Sequence, residues 1–358
     1  MNTNSSDALA RDLLERLART PDVWPHNVDV VRQAILLIAL KADDYRQQSF
    51  LDDRMLRHDL RGSWVPLAAA AEAIDRGVPA RPLHFIFHTG HVGSTLLSRL
   101  LDETGAVLGL REPQSLRTLA DLHDHLGGPD SLLSNAGYMA LLRLFLKAWQ
   151  RGYGDTRAVL VKATSSAGRL APTLLEESPP ARAVYLNLKA EPYLATLLGG
   201  ANSALDLRGH GPARMRRLVQ ALHAPVAPLH GLSVGELAAM SWLTETLSEL
   251  QCLEGFAGRV RAVDFDDLLA NLAAELRTIL DHFGLPTDAQ VLARVAASPA
   301  LTRYSKAPEH AYSPALRREI LDDARRAHRD EIRRGLAWLE KLARSEPRVA
   351  RVFPNGLA

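Results

Sequence analysis

The feature that most constrains the fold is a short apolar run that leads directly into a loop rich in glycine and hydroxyl residues. The run at 83–87 suits a strand in the middle of a parallel sheet. Loop 88–95 follows at once, and leucines then recur at helical spacing within 96–101. Backbone N–H groups at the start of such a helix lack partners, and the helix dipole favours negative charge there. Residues 81–112 therefore predict a strand–loop–helix unit that binds an anion, with phosphate as the expected ligand.

The same pattern recurs along the chain. Four further apolar runs are found at 106–110, 158–162, 183–188 and 259–265. Helix-length segments separate the runs, which is typical of right-handed crossovers and a mostly parallel sheet covered on both faces by helices. We therefore predict an α/β fold with a central sheet of about five strands. Ligands of such sheets bind at the carboxyl ends of the strands, so the residues just after each run are the site candidates.

The flanking regions predict helical additions to this core. Apolar stripes at 7–17 and 28–40 predict helices, so residues 1–80 are interpreted as a helical N-terminal extension. Residues 81–300 form the predicted α/β core. Residues 301–358 combine a basic loop with one long basic amphipathic helix, which we expect to pack on the core.

Composition excludes several classes of protein. The chain has 358 residues and a formal net charge of +2, which argues against general nucleic-acid binding. Its single cysteine, Cys252, excludes an internal disulfide and a cysteine-rich metal site, and its apolar neighbours predict a buried, inert thiol. The sequence shows neither a signal-peptide pattern nor an apolar stretch of about 18 residues, so we expect a cytoplasmic protein with no membrane partner.

Loop 88–95 differs from the loop of a nucleoside-triphosphate enzyme. It contains Gly90 and Gly93, but no lysine precedes Ser94. The ATP-binding motif G-x-x-x-x-G-K-[ST] needs that lysine to reach the β- and γ-phosphates. The missing lysine argues against ordinary ATP hydrolysis. A tight strand–helix turn without a ligand is the structural alternative.

Two segments are similar to those of the sulfotransferase superfamily, whose enzymes move a sulfuryl group from 3′-phosphoadenosine 5′-phosphosulfate (PAPS) to a hydroxyl or amine. Loop 90–95 is similar to the family's 5′-phosphosulfate loop, roughly P-[KR]-S-G-T-[TS]. Segment 260–286 resembles its strand, acidic turn, helix and Gly-Leu-Pro. The resemblance extends over about 82–306 and implies a P-loop-type three-layer fold. It also implies PAPS contacts from Gly90, His91, Val92, Gly93, Ser94 and Thr95.

The resemblance assigns two catalytic roles. Glu112 follows the second strand and resembles the base of the protein-tyrosine branch, where a carboxylate accepts the acceptor's proton. Lys162 ends the third strand and resembles the lysine that stabilises the transferred group. Thr164 stands where the small-molecule branch often has a histidine, which moves the base role towards Glu112. The alternatives are a Glu112 salt bridge to Arg111 or Arg117, and a Lys162 that is merely solvated.

The site for the 3′-phosphate departs from the family. The usual Arg-x-Pro is replaced by residues 190–192, Ala-Glu-Pro, and Leu198 takes the place of the usual serine. Lys189 is one position away and is expected to substitute for the arginine. Arg303 and Lys306 are expected to act as the family's late basic loop.

Together these patterns predict a PAPS-dependent sulfotransferase that needs no metal and acts on a small-molecule, glycan or peptide acceptor. One alternative is a kinase-like P-loop nucleotide enzyme. Another is a non-catalytic protein with this fold that binds a phosphorylated ligand or a protein partner. The His-Asp-His run at 123–125 resembles metal ligands, but positions i and i+2 do not share a helix face, so we expect a surface loop.

Overall fold

The computed structural model describes residues 3–77, 80–305 and 309–353. Five parallel strands form its central sheet, in the order β5-β6-β4-β7-β8, and a smaller antiparallel sheet has the order β1-β2-β3. The strands are β1 (Val23–Asp29), β2 (Ala34–Ala39), β3 (Gly62–Pro66), β4 (Leu83–His88), β5 (Val107–Arg111), β6 (Ala158–Lys162), β7 (Ala183–Asn187) and β8 (Val260–Asp264). Strands β4 to β8 coincide with the five predicted runs, so the predicted α/β fold is confirmed.

Helices separate and cover the strands. In chain order they are α1 (Thr3–Leu17), α2 (Ala42–Gln47), α3 (Leu67–Asp75), α4 (Ser94–Asp102), α5 (Gln114–Asp124), α6 (Asn135–Trp149), α7 (Ala171–Glu177), α8 (Ala190–Leu198), α9 (Ser203–Leu222), α10 (Val234–Gly255), α11 (Phe265–Ala270), α12 (Leu272–Phe283), α13 (Ala289–Ala296), α14 (Pro314–Ala327), α15 (Arg329–Ser345) and α16 (Pro347–Ala350). Short 3₁₀ turns occur at Asp53–Met55, Ser165–Leu170, Leu229–Gly231 and Pro299–Leu301. None of the helices described has the length and apolar character needed to cross a membrane.

The alternation of side chains along β4 explains the three layers. Phe85 and Phe87 point to one face of the sheet and join an apolar cluster with α1, α5, α6 and the small sheet. Ile86 points to the other face and joins a cluster with α4, α8, α10 and α12. All three side chains are fully buried, and each such burial stabilises the fold by about 1.5–3 kcal/mol. A strand that is buried on both faces must be apolar throughout, which is why β4 could be predicted from the sequence.

The N-terminal region differs from the prediction. Residues 28–40 were expected to form a helix, but they contain the end of β1, a turn and β2. The Asp29 carboxylate accepts hydrogen bonds from the N–H groups of Val31 and Arg32, and Gln33 has a φ of 50°. These features reverse the chain, so the apolar residues on either side pair as a hairpin. The helical interpretation of residues 1–80 is therefore wrong for this part, while α1 at 7–17 is confirmed.

The C-terminal helix is also interrupted. A single helix was predicted over about 314–344, but α14 ends at Ala327 and α15 begins at Arg329. Glu331, in the first turn of α15, accepts a hydrogen bond from the Gly235 N–H at 2.7 Å. A β-carbon on Gly235 of α10 would lie 1.9 Å from the Glu331 carbonyl oxygen, so the backbones of α10 and α15 are in direct contact. This contact fixes the position of α15 independently of α14.

Helix α10 carries two buried titratable groups. Burial raises the pKa of Cys252 to about 12, which agrees with the predicted inert thiol. Burial also raises the pKa of Glu249 to about 8, although the Asn187 amide at the end of β7 donates a hydrogen bond to its carboxylate at 2.5 Å. The second carboxylate oxygen of Glu249 has no partner among the described residues. Burial therefore favours the protonated form of Glu249 in the folded protein.

The substitution Glu249→Gln should remove the loss of folding stability that Glu249 causes as pH rises. The unfolded chain loses the Glu249 proton near pH 4.5, while the folded chain keeps it up to about pH 8, so stability falls as pH rises through this window. At about pH 8 we expect the free energy of unfolding of the variant to exceed that of the wild type by about 1–3 kcal/mol. Near pH 4.5 the two should differ little. Denaturant titration across this pH range measures the difference. Glu254→Gln, at a half-exposed position of the same helix, is the control, and parallel pH profiles for wild type and Glu249→Gln would contradict the prediction.

Candidate active site

The loop between β4 and α4 is a left-handed backbone turn fixed to the neighbouring strand. Gly90, His91 and Gly93 have φ values of 100°, 56° and 69°. The Gly90 N–H donates to Nδ1 of His88 at 3.1 Å, so Nε2 carries the ring proton and donates to the Ala163 carbonyl at 2.9 Å. The loop is thereby held against the residues that directly follow β6. Consecutive N–H groups in such turns form concavities that bind anions.

Close packing allows only glycine at the last loop position. A β-carbon on Gly93 would lie 2.0 Å from the Phe265 ring, which belongs to the first residue of α11. No real contact is that short, so the end of β8 and the start of α4 can meet only across a glycine. The loop and segment 260–286, which were singled out separately in the sequence, are in direct contact.

Buried hydroxyl groups lie in the loop and at the start of α4. Ser94 and Thr95 are buried, and so is Thr89 in the loop. The hydroxyls of Thr89 and Thr95 have no hydrogen-bond partner within the part of the chain that the structure describes. Such buried hydroxyls are costly unless something pairs with them, and the oxygens of a phosphate-like group would do so. His91 is exposed, whereas Val92 is fully buried in the core and offers only its backbone.

The two predicted catalytic residues lie together. Strands β5 and β6 are neighbours, with Arg111 opposite Lys162, and the Glu112 N–H donates to the Lys162 carbonyl at 2.7 Å. The Lys162 ammonium donates to Oε1 of Glu112. Lys162 is completely buried and Glu112 is 7% exposed, so the alternative of a solvated Lys162 is wrong. Glu112 has a φ of 50°, an uncommon backbone conformation that costs about 1–3 kcal/mol and is typical of functional sites.

This ion pair adjoins loop 88–95. Lys162 is paired with Ile86 across β4 and β6, and Ala163 accepts the hydrogen bond from His88. A β-carbon on Gly90 would be 3.6 Å from the Ser165 hydroxyl, three residues after Lys162. A buried cation and a carboxylate therefore lie beside a loop whose backbone geometry suits an anion. This combination suits the transfer of a charged group to a nucleophile that must lose a proton.

Residues that were not predicted complete the surroundings of Glu112. Arg54 donates to Oε2 of Glu112 at 3.4 Å, and an Arg117 nitrogen lies 4.0 Å from the same oxygen. Asp52, which is buried, accepts hydrogen bonds from both arginines. Arg117 was named as an alternative partner of Glu112, but Arg54 and Asp52 were missed. The contact of Arg54 with Glu112 spans 58 positions in the sequence, and no local pattern marks it.

Arg111 has a structural role instead. Its fully buried guanidinium forms an ion pair with Asp102 and donates to the carbonyls of Tyr45, Arg46 and Gln48. The N-terminal segment is thus fastened to the end of β5. The alternative of an Arg111–Glu112 salt bridge is wrong, because neighbouring residues at a strand end point in opposite directions.

The residues expected to bind the 3′-phosphate are more dispersed. Lys189 is exposed between β7 and α8, at the carboxyl edge of the sheet. Arg303 lines a groove of about 450 Å³ together with Asp102 and Glu103, at the C-terminal end of α4. Lys306 lies outside the described residues. The structure therefore brings the loop, Glu112 and Lys162 together, and it places Arg303 beside the opposite end of α4.

The described residues also bear on metal binding. They contain no group of three or more histidine, cysteine, aspartate and glutamate side chains arranged to hold a metal ion. In the run at 123–125, His125 is half-exposed and pairs with Asp130 at 2.6 Å. His123 contacts the ring of Tyr138. The two histidines point to different partners. The expectation of a surface loop is wrong for His123 and Asp124, which end α5, while His125 follows the helix.

Comparisons with known proteins were made on both sequence and structure. No known family model and no curated protein matches the chain. Solved structures do match. The sulfotransferase domain of the curacin biosynthetic pathway is 14% identical, with 74% of this chain and 99% of that one covered and a TM-score of 0.39. The sulfotransferase domain of the Synechococcus PCC 7002 olefin synthase is 18% identical, with 69% of this chain and 88% of that one covered and a TM-score of 0.39.

A third match is a mouse sulfotransferase complexed with PAP. It is 9% identical to this chain, with 80% of this chain and 93% of that one covered and a TM-score of 0.41. All three matches are sulfotransferases, and their resemblance to this chain is remote.

The substitution Gly93→Ala tests the contact that shapes the loop. We expect a loss of about 1–3 kcal/mol in the free energy of unfolding beyond the backbone strain alone, because the new methyl group must displace the Phe265 ring. Gly127→Ala is the matched control, since Gly127 has a similar φ of 77° and nothing within 4 Å of its position. Denaturant titration of both variants measures the effect. Equal destabilisation would show that the Phe265 contact does not constrain the loop.

Proposed function

We propose that this protein is a PAPS-dependent sulfotransferase. The observation that supports this most is the buried contact between Glu112 and Lys162, beside a loop where the hydroxyls of Thr89 and Thr95 have no partner among the described residues. The loop offers backbone N–H groups and a helix N-terminus to an anion, without the lysine that a nucleoside-triphosphate enzyme needs. We assign the reaction to the cytoplasm, as expected for a chain that has no disulfide and whose only thiol is buried.

Loop 90–95 would hold the 5′-phosphosulfate. The positive φ values of Gly90, His91 and Gly93 give the loop the left-handed backbone that is typical of anion-binding turns, and the hydroxyls of Ser94 and Thr95 add donors at the helix start. When bound, PAPS supplies a sulfuryl group whose bond to the bridging oxygen breaks, leaving 3′,5′-ADP, as the acceptor oxygen forms a bond to sulfur. Val92 contributes its backbone to the cradle and its side chain to the core.

Glu112 and Lys162 would divide the catalytic work. Glu112 accepts the proton of the attacking hydroxyl or amine, for which a carboxylate within hydrogen-bond reach is suited. The Lys162 ammonium provides positive charge where negative charge builds up on the transferred group and the leaving oxygen. Their mutual contact keeps both side chains buried and oriented before substrates arrive. No metal ion is required in this proposal, because Lys162 supplies the charge.

The 3′-phosphate has fewer partners in this chain than the sequence motifs of the family provide. Lys189 stands at the carboxyl edge of the sheet, next to Ala190, and is the predicted cation whose position suits this role best. We retain Arg303 and Lys306 as further contacts in the proposal. For Arg303 this role requires the segment that contains it to approach from beside the far end of α4.

Ligand-induced stabilisation tests the proposed cofactor. A ligand at 100 times its Kd stabilises the folded protein by about 2.7 kcal/mol. We expect 3′,5′-ADP at millimolar concentration to raise Tm by several degrees and 5′-AMP to raise it less, because 5′-AMP lacks the 3′-phosphate. ATP with magnesium should have the smallest effect. Stabilisation by magnesium-ATP alone would favour a kinase-like enzyme, and an unchanged Tm with 3′,5′-ADP would refute the proposal.

The substitution Glu112→Gln tests the base. It removes the proton acceptor but keeps the size of the side chain, so we expect sulfuryl transfer from radiolabelled PAPS to hydroxyl acceptors to fall by about 10²–10⁴-fold. Stabilisation by 3′,5′-ADP should persist, which also reports that the variant is folded. Glu177→Gln, which changes a surface ion pair with Arg143, is the control and should keep full activity. Undiminished transfer by Glu112→Gln would exclude Glu112 as the base.

A further inference from the structure

Two arginines, Arg54 and Arg117, lie next to the Oε2 atom of Glu112, and both also contact the buried Asp52. The Nε and Nη2 atoms of Arg54 donate to Asp52 at 2.9 and 2.6 Å, and Nη2 also reaches Oε2 of Glu112 at 3.4 Å. Arg117 lies 3.5 Å from Asp52 and 4.0 Å from Glu112. The Lys162 ammonium donates a hydrogen bond to the other carboxylate oxygen of Glu112, Oε1, on the buried side. The proposed base therefore has one buried cation on its inner side and two arginines on its outer side.

The position of Arg54 is set by the backbone. The Leu51 N–H donates to the Arg111 carbonyl at 2.6 Å, and the Gln114 N–H donates to the Leu51 carbonyl at 3.0 Å. The segment is thus bonded on both sides of Glu112. The Arg54 guanidinium also stacks on the Phe50 ring, 3.3 Å from its centroid. An arginine held in this way loses little further side-chain freedom when it binds a ligand.

Both arginines retain donors that face solvent. The side chains of Arg54 and Arg117 are 54% and 39% exposed, whereas those of Asp52 and Glu112 are 5% and 8% exposed. Within the described residues, Nη1 of Arg54 and both Nε and Nη1 of Arg117 have no hydrogen-bond acceptor. Guanidinium groups with free donors in one region suit the planar or tetrahedral oxygens of a carboxylate or phosphate.

The net charge of the cluster also favours the binding of an anion. Among the described residues, the three cations Lys162, Arg54 and Arg117 face the two carboxylates Asp52 and Glu112, so one positive charge is in excess. When Glu112 takes the acceptor's proton, the excess rises to two. A partly buried cluster of this kind is stabilised by an added negative charge. The acceptor, which must approach Glu112, is the molecule that can bring it.

We infer that the acceptor carries an anionic group, of the carboxylate or phosphate type, near its reacting hydroxyl or amine, and that Arg54 and Arg117 bind this group. The inference rests on the proposed function only for the identity of the ligand as the acceptor. It makes the N-terminal segment 50–54 part of the acceptor site. Arg54 and Arg117 determine which acceptors bind, and Glu112 carries out the proton transfer.

Matched probes test the inference by binding. Isothermal titration of the full chain, with and without 3′,5′-ADP, compares 4-hydroxyphenylacetate with its neutral amide, 4-hydroxyphenylacetamide. We expect the carboxylate to bind at least about 10-fold more tightly, as charge-assisted hydrogen bonds of about 1.5–3 kcal/mol imply. A third probe, 4-hydroxybenzylphosphonate, shows which type of anion is preferred. In Arg54→Gln and Arg117→Gln the preference for the anions over the amide should fall to about 2-fold or less.

Arg57→Gln is the control variant. Arg57 lies three residues after Arg54 with 46% of its side chain exposed, but its carboxylate partners are Asp44 and Asp59. This variant should keep the full preference. Equal binding of anionic and neutral probes, no binding of any probe, or an unchanged preference in Arg54→Gln would each overturn the inference. Failure of the proposed function has a different signature, namely absence of any effect of 3′,5′-ADP on Tm, and the titration without nucleotide still reports on the two arginines.

Discussion

A buried ion pair at the ends of two neighbouring strands is the interaction on which the site depends. Removing charges from water costs several kcal/mol per ion, so a pair such as Glu112 and Lys162 adds little net stability. Loss of one partner leaves an uncompensated buried charge and costs about 3–5 kcal/mol. Glu112 also adopts an uncommon backbone conformation. Two unfavourable features at one residue are explained better by a chemical role than by stability.

The residue before Glu112 organises the opposite side of the strand. Arg111 is fully buried and binds three backbone carbonyls of the segment around Tyr45, together with Asp102 at the end of α4. This anchor brings the segment 49–55 alongside Glu112. One strand end therefore serves two purposes, since Glu112 faces the site while Arg111 fastens the N-terminal region. The arginine and aspartate around Glu112 are a consequence of this anchor, and residues 1–80 are more than a cover for the core.

The sequence predicted the parts that depend on local pattern. Strands β4 to β7 could be recognised in the sequence because a strand that is buried on both faces is apolar throughout. Loop 88–95 could be recognised because its backbone requires glycine. Glu112 and Lys162 were chosen separately, on resemblance, and their contact follows from β5 and β6 being neighbours, which the sequence does not state. Arg54 and Asp52 depend on contacts between distant segments. Residues 28–40 were mispredicted because their apolar spacing suits both a helix and a hairpin, and the turn at Asp29 decides between them.

The charges at the start of α8 bear on how the proposed cofactor is held. Glu191 stands beside Ala190, where the family motif has its arginine, and a carboxylate there would repel a 3′-phosphate. Arg325 of α14 binds both oxygens of Glu191, at 2.8 and 2.9 Å, and so offsets that charge. Lys189 then supplies the positive charge that remains at this end of the strand. In the proposed reaction the 5′ end of the nucleotide, bound by loop 90–95, carries most of the affinity, and the 3′-phosphate contributes less than a buried arginine would provide.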